Sequence, residues 1–217
     1  MIRRFDQVFG RYIEKIPGQE RFAFALSDQE DFYDQIEWAK RGGYQGAVIR
    51  FYDLSCGTVF TPFPKKRDVL YSTPVYAENV FWFLQGDFET GKIRLIRYLP
   101  GEEPGTAAEF PVNEVELYNL QIVGEKVHVI SQKDEFRCYY PKSLSFPLSP
   151  NETVCFIEDG KVFLEAWIEE GWDEAHDCAT DTYEFYHQVI VKNEEGQTLS
   201  MERGSLFQAP DGTWWIA

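Results

Sequence analysis

From Gly46 onward, short apolar runs double back through turns of Gly, Asp and Asn, which confines this stretch to antiparallel β-hairpins. Ala47 to Leu54 returns through Ser55-Cys56-Gly57 into Thr58 to Phe63. Val75 to Leu84 returns near Glu89-Thr90-Gly91 into Lys92 to Tyr98. Glu116 to Ile122 pairs with Lys126 to Ser131 around Gly124, and Thr153 to Ile157 with Lys161 to Ile168 around Asp159-Gly160. Phe185 to Lys192 turns at Asn193-Glu194-Glu195-Gly196, and Pro210-Asp211-Gly212 leads into Thr213 to Ile216. The count comes to about a dozen strands. An aromatic share of 17% supports this, because Phe, Tyr and Trp suit half-buried strands. Phe81, Phe83, Leu95, Val127, Val129, Phe156, Phe163 and Trp167 are assigned to the core, each lying in such a run close to a turn.

The first 45 residues read differently. Phe5, Val8, Tyr12 and Ile13, then Phe22, Phe24 and Leu26, suggest two strands separated by Pro17-Gly18. Ser27-Asp28-Gln29-Glu30 has the spacing of a capping box, Phe32, Ile36 and Ala39 follow at helical spacing, and Gly42-Gly43 supplies a stop. One short helix is therefore expected near 28–41. The 217 residues are expected to form a single domain, with N-terminal strands and helix over 1–45 and a β-hairpin body over 46–217.

Within the body a weak repeat appears. Glu78-Asn79-Val80-Phe81-Trp82-Phe83, with a following strand that ends Tyr98-Leu99-Pro100, echoes Glu125-Lys126-Val127-His128-Val129-Ile130, with one that ends Tyr139-Tyr140-Pro141. Asn151 to Phe156, followed by Lys161 to Leu164, forms a third, shorter unit. Over residues 46–168 such units resemble the blades of β-propellers, and the resemblance implies a propeller-like meander; a barrel or a sandwich accommodates the same strands. No WD dipeptide or other blade signature is present, so the likeness implies nothing about ligand.

A formal net charge of −15 sets the chain against phosphate backbones and anionic membranes, so neither nucleic acid nor membrane is an expected partner. No apolar run reaches the roughly 20 residues of a membrane span, and Gln7, Arg11, Glu14 and Lys15 stand where a signal peptide would be apolar. The expected location is the cytoplasm. Cys56, Cys138, Cys155 and Cys178 lack C-x-x-C spacing and are read as reduced and mostly structural. P-loop, G-x-G-x-x-G and G-x-S-x-G motifs are missing, and no cofactor is expected. His128, His176 and His187 are too far apart for a local ligand pair, and alternation puts His128 on an outer strand face.

The segment Glu165 to Asp181 carries seven carboxylates with one His and one Cys. Asp173, Asp177 and Asp181 recur every four residues and would stack like charges on one face of a helix. Two expectations follow: a solvated acidic loop, or a cation site built from Asp173, Asp177, Asp181 and His176. Trp167 and Trp172, with Glu165 and Glu169 nearby, are the candidate binding residues, because indoles stack on sugars or proteins and carboxylates accept hydrogen bonds. Three functions remain open. One is a non-catalytic binding or interaction module for a protein, a small molecule or a carbohydrate. The second is an enzyme that acts on carbohydrate through paired carboxylates, and the third an acidic inhibitor or immunity-type protein that neutralises a basic partner.

Overall fold

The computed structural model describes residues 2–28, 30–124 and 126–217. The protein is mainly β, and every sheet is antiparallel. The first sheet contains β1 (Glu14–Lys15), β2 (Phe22–Leu26), β3 (Ile49–Asp53) and β4 (Val59–Phe60) in that order, and α1 (Gln35–Lys40) lies between β2 and β3. In the second sheet β5 (Val69–Tyr71) and β6 (Val75–Ala77) both pair with β7 (Val80–Asp87), which is followed by β8 (Lys92–Tyr98) and β9 (Gly105–Pro111). The third sheet is the meander of β10 (Gln121–Val123), β11 (His128–Gln132), β12 (Glu135–Tyr140) and β13 (Leu144–Pro147). A fourth joins β14 (Glu152–Glu158), β15 (Lys161–Asp173), β16 (Cys178–Asn193) and β17 (Thr198–Arg203), and β18 (Leu206–Gln208) with β19 (Trp214–Ile216) forms a C-terminal hairpin.

Successive sheets share cores. Phe51 of the first sheet lies 5.1 Å from Phe81 and from Tyr98 of the second, ring centre to ring centre. The same apolar cluster runs on to Ile122, Val127 and Val129 on the third sheet. The neighbouring residues Val123 and Ile130 belong instead to a second cluster, with Val154, Leu164 and Ile190 of the fourth sheet. Side chains alternate between the faces of a strand, so Val129 and Ile130 enter two different cores. A strand buried on both faces reads as a near-continuous apolar run; all eight residues of β7 are buried, Val80 to Leu84 apolar and the polar Gln85 and Asp87 paired with Arg94 and Lys66. On the far side of the fourth sheet Phe163 stacks on Phe156 at 4.3 Å and Phe156 on Trp214 of the C-terminal hairpin at 4.7 Å. That hairpin in turn meets the turn after β1, where the Gly18 amide donates to the Pro210 carbonyl at 3.1 Å.

Several expectations change. The helical stretch is shorter than 28–41: a 3-10 turn at Phe32–Asp34 leads into α1. Ser27 is not its cap, because the Ser27 hydroxyl accepts the Val48 amide at 2.9 Å and the Ser27 amide donates to the Val48 carbonyl, which prolongs the pairing of β2 with β3. The cap lies four residues later, where the Asp31 amide donates to the Asp34 carboxylate at 3.0 Å. Gln29 of the expected box lies outside the described residues. The strand expected over Phe5 to Ile13 does not form, and Val8 and Tyr12 face solvent. The run expected as one strand from Val75 to Leu84 breaks at Glu78 and Asn79, both at positive φ, into β6 and β7. Of the assigned core residues, Phe163 is half-buried and Trp167 is 46% exposed; the other six are buried. Among the described residues no helix is long and apolar enough to cross a membrane.

Polar groups pin the ends of the sheets. Asp53 is buried at the end of β3, where Arg21 Nη2 donates to its carboxylate at 2.7 Å and the Ser55 amide at 2.8 Å. Burial opposes ionisation of Asp53, but the bonds from Arg21 and Ser55 outweigh it and hold the carboxyl well below its ordinary range. A depressed folded-state value means that this stabilisation is complete above about pH 4 and is lost as the pH falls further.

Two stability experiments follow. Phe83→Ala empties a fully buried site packed against Phe51, Tyr71 and Tyr98 and should lower the unfolding free energy by about 3 to 5 kcal/mol in urea titration. Asp53→Asn should cost about 1.5 to 3 kcal/mol at pH 7, and its deficit against the wild type should shrink as both are titrated toward pH 2.

Candidate functional site

The segment expected as an acidic loop is a two-stranded arm. β15 and β16 pair from Lys161 opposite Asn193 to Asp173 opposite Cys178. β14 reaches only Ala166, and β17 only Gln188. Beyond Trp167 and His187 the ribbon therefore has no flanking strand. Lys192 and Glu152, both largely buried, pair at 2.7 Å across the base of the arm. Glu165 also belongs to the base, since its carboxylate accepts the Leu206 amide of the C-terminal hairpin.

Cross-strand geometry gathers the aromatic residues of the arm on one face. Glu169 stands opposite Phe185, and Trp167 opposite His187, so Trp167 and Phe185 are diagonal neighbours, with ring centres 6.3 Å apart. Tyr183 lies two residues farther along the same face and donates its hydroxyl to Glu169 at 2.7 Å. Strict alternation from Trp167 would put Trp172 on the opposite face, but the register shifts between Glu170 and Trp172. Gly171 makes the shift possible: it sits at φ +73°, and a Cβ there would lie 2.7 Å from the Thr182 backbone. Trp172 then packs edge-on against Tyr183 at 5.8 Å. Trp167, Trp172 and Phe185 remain 46%, 42% and 60% exposed. On the other face Tyr186 donates to Glu170 at 2.9 Å, and the Arg203 guanidinium lies 4.2 Å from the Tyr186 ring centre and pairs with Glu184.

Of the candidate metal residues, the structure brings Asp173 and His176 together. Asp173 closes the tip of the arm by accepting the amides of Ala175 and His176 through one oxygen, while His176 Nδ1 lies 2.8 Å from the other. The bond from His176, helped by the two amides, holds Asp173 below its ordinary value. Among the described residues no group of three or more His, Cys, Asp and Glu side chains is arranged to hold a metal ion. Elsewhere, half-buried His128 has its Nδ1 2.6 Å from the Lys126 carbonyl, and burial lowers its pKa. All four cysteines are free, Cys138 buried and Cys56 and Cys178 exposed.

Sequence reasoning singled out Trp167, Trp172, Glu165 and Glu169 but missed Tyr183 and Phe185. Their signal was present as the alternation of aromatic and acidic residues in Tyr183-Glu184-Phe185. A concavity elsewhere in the fold gave no local signal. It has a volume of about 960 Å³ and lies where the first strands of the sheets converge, with Glu14 of β1, Gln121 of β10, Cys155 of β14 and Gln208 of β18 in its wall. In comparisons with known proteins no family model, curated protein or solved structure matches the chain.

With Asp173 already bonded to two amides and His176, the tip should behave as a structural turn. The double variant Asp173→Asn, Asp177→Asn should change stability by no more than about 0.5 kcal/mol. Addition of Ca²⁺, Mg²⁺ or Zn²⁺ to chelated, dialysed wild-type protein should leave its melting temperature in place, as read by calorimetry.

Proposed function

We propose that this protein is a non-catalytic binding module that docks a basic protein partner on the aromatic face of its β15–β16 arm. One observation carries the reading: Trp167, Phe185 and Trp172 stand exposed in a row on a ribbon that holds eight carboxylates from Glu165 to Glu184 and has no Lys or Arg between Lys161 and Lys192. Aromatic side chains offer large contact area at small entropy cost and dominate interface energetics. Their faces attract Lys and Arg, and the surrounding acids speed the approach of a basic surface. The same features support the acidic-inhibitor reading as a special case, in which docking blocks the partner.

The paired-carboxylate enzyme has less support. Glu165 and Glu169 project from a single strand, and each accepts a hydrogen bond from the protein itself, from the Leu206 amide and the Tyr183 hydroxyl. For the scaffold we favour a propeller-like arrangement in which the sheets stand as blades around the central concavity. Its support is the chain of contacts from each sheet to the next and the return contact between Pro210 and Gly18.

A 20-residue peptide of alternating Arg and Leu, titrated by calorimetry, tests the docking face. Wild-type protein should bind it, with affinity that falls as salt rises. The double variant Trp167→Ala, Phe185→Ala should melt as the wild type does and bind at least tenfold more weakly, as expected when hot-spot rings are truncated. Equal binding by both proteins, or none by the wild type, would refute the reading.

A further inference from the structure

The central concavity is a separate site, remote in character from the arm. Its volume of about 960 Å³ is at the upper end of the range of about 300 to 1,000 Å³ for small-ligand pockets. Every charged side chain in its wall is acidic: Glu14, Glu30, Asp31, Glu78 and Asp211, with no Lys, Arg or His among the described lining residues. Other prominent carboxylates have cationic partners, such as Asp53 with Arg21, Asp87 with Lys66 and Glu152 with Lys192. Among the described residues none of the five in the wall forms an ion pair. Burial, together with the nearby charges of Asp34 and Glu30, raises the pKa of Asp31, whereas hydrogen bonds from Thr213 lower that of Asp211.

The rest of the wall narrows the ligand. Phe32, Tyr71, Tyr76 and Trp214 contribute aromatic surface from different elements. Rings with carboxylates and no cation make a poor site for an anion; a neutral sugar can donate hydroxyls to the carboxylates but brings no charge to balance theirs. A single metal ion would need its ligands gathered, yet no three acidic, His or Cys side chains among the described residues are placed to hold one. The acids instead come from β1, from the segment before α1, from the β6–β7 turn and from the C-terminal hairpin. A flexible chain with several ammonium groups can satisfy carboxylates spread in this way, while its methylene groups and cationic centres pack on the rings. We propose that the concavity binds a linear aliphatic polyamine.

Spermidine is the probe, titrated by calorimetry and followed by thermal shift, with Mg²⁺ and glucose as comparators. Spermidine should bind with a stoichiometry of one and raise the melting temperature by mass action, whereas Mg²⁺ at equal charge and glucose should do neither. The double variant Glu14→Gln, Glu78→Gln removes two exposed acids from different parts of the wall. It should melt as the wild type does without ligand and lose at least tenfold in spermidine affinity. The Trp167→Ala, Phe185→Ala variant should retain full affinity, which separates this site from the arm. The proposal fails if spermidine does not bind, if Mg²⁺ produces the same shift, if glucose binds in its place, or if the Glu14 and Glu78 substitutions leave the affinity unchanged.

Discussion

Burial of the inner sheets on both faces is the constraint on which the rest of the structure depends. A sheet covered on one face can alternate apolar with polar residues; one covered on both cannot. β7 and β11 meet this demand differently. β7 is buried along its whole length, while β11 sends Val129 into the cluster shared with the first two sheets and Ile130 into the cluster shared with the fourth. The third sheet is thus a wall between two cores, and a side chain lost from either of its faces weakens the seat of a neighbouring sheet. Buried Gln132 fits this arrangement. Gln132 Oε1 accepts the Val154 amide at 2.7 Å and its Nε2 donates to the Val154 carbonyl at 3.2 Å, which ties the third sheet to the fourth without leaving a donor or acceptor unpaired.

Where the cover ends, the chemistry changes. Up to Ala166 the even positions of β15 are apolar and buried, at Val162, Leu164 and Ala166. Beyond it the flanking strands stop, yet β15 and β16 continue for another seven and ten residues. A two-stranded ribbon in water has little stability of its own, and the arm compensates with contacts across its strands, Tyr183 to Glu169, Tyr186 to Glu170 and Trp172 to Tyr183. These contacts also fix the rings in place. An immobilised aromatic face loses less entropy on association than a mobile one, so the features that hold the arm in shape are those that suit it to docking.

Much of the fold could be read from turn chemistry. Asp159-Gly160 and Asn193 to Gly196 join the strands expected of them, since a positive φ at glycine suits tight turns. Periodicity was less informative where tertiary context overrode it. The spacing of Ser27 and Glu30 imitated a capping box, but pairing with Val48 claimed the Ser27 side chain and backbone alike. Trp167 resembled a core residue because its alternation with Ala166 and Ile168 says which face it shares, not whether that face is covered. Trp172 joins the aromatic row only through the irregularity at Gly171, a device that reads in sequence as an ordinary glycine. The concavity was invisible for another reason: its acids lie nearly 200 residues apart along the chain, from Glu14 to Asp211, and only the convergence of several sheets brings them to one wall.

Residue-resolved hydrogen exchange of the dilute, unliganded protein tests most directly whether the arm is a free face beside a doubly covered core. Amides of β7 and β11 should exchange only through global unfolding, and those from Trp167 to His187 orders of magnitude faster through local opening. Protection in the distal arm equal to that in β7 would mean that its aromatic face is already covered, and would contradict the account.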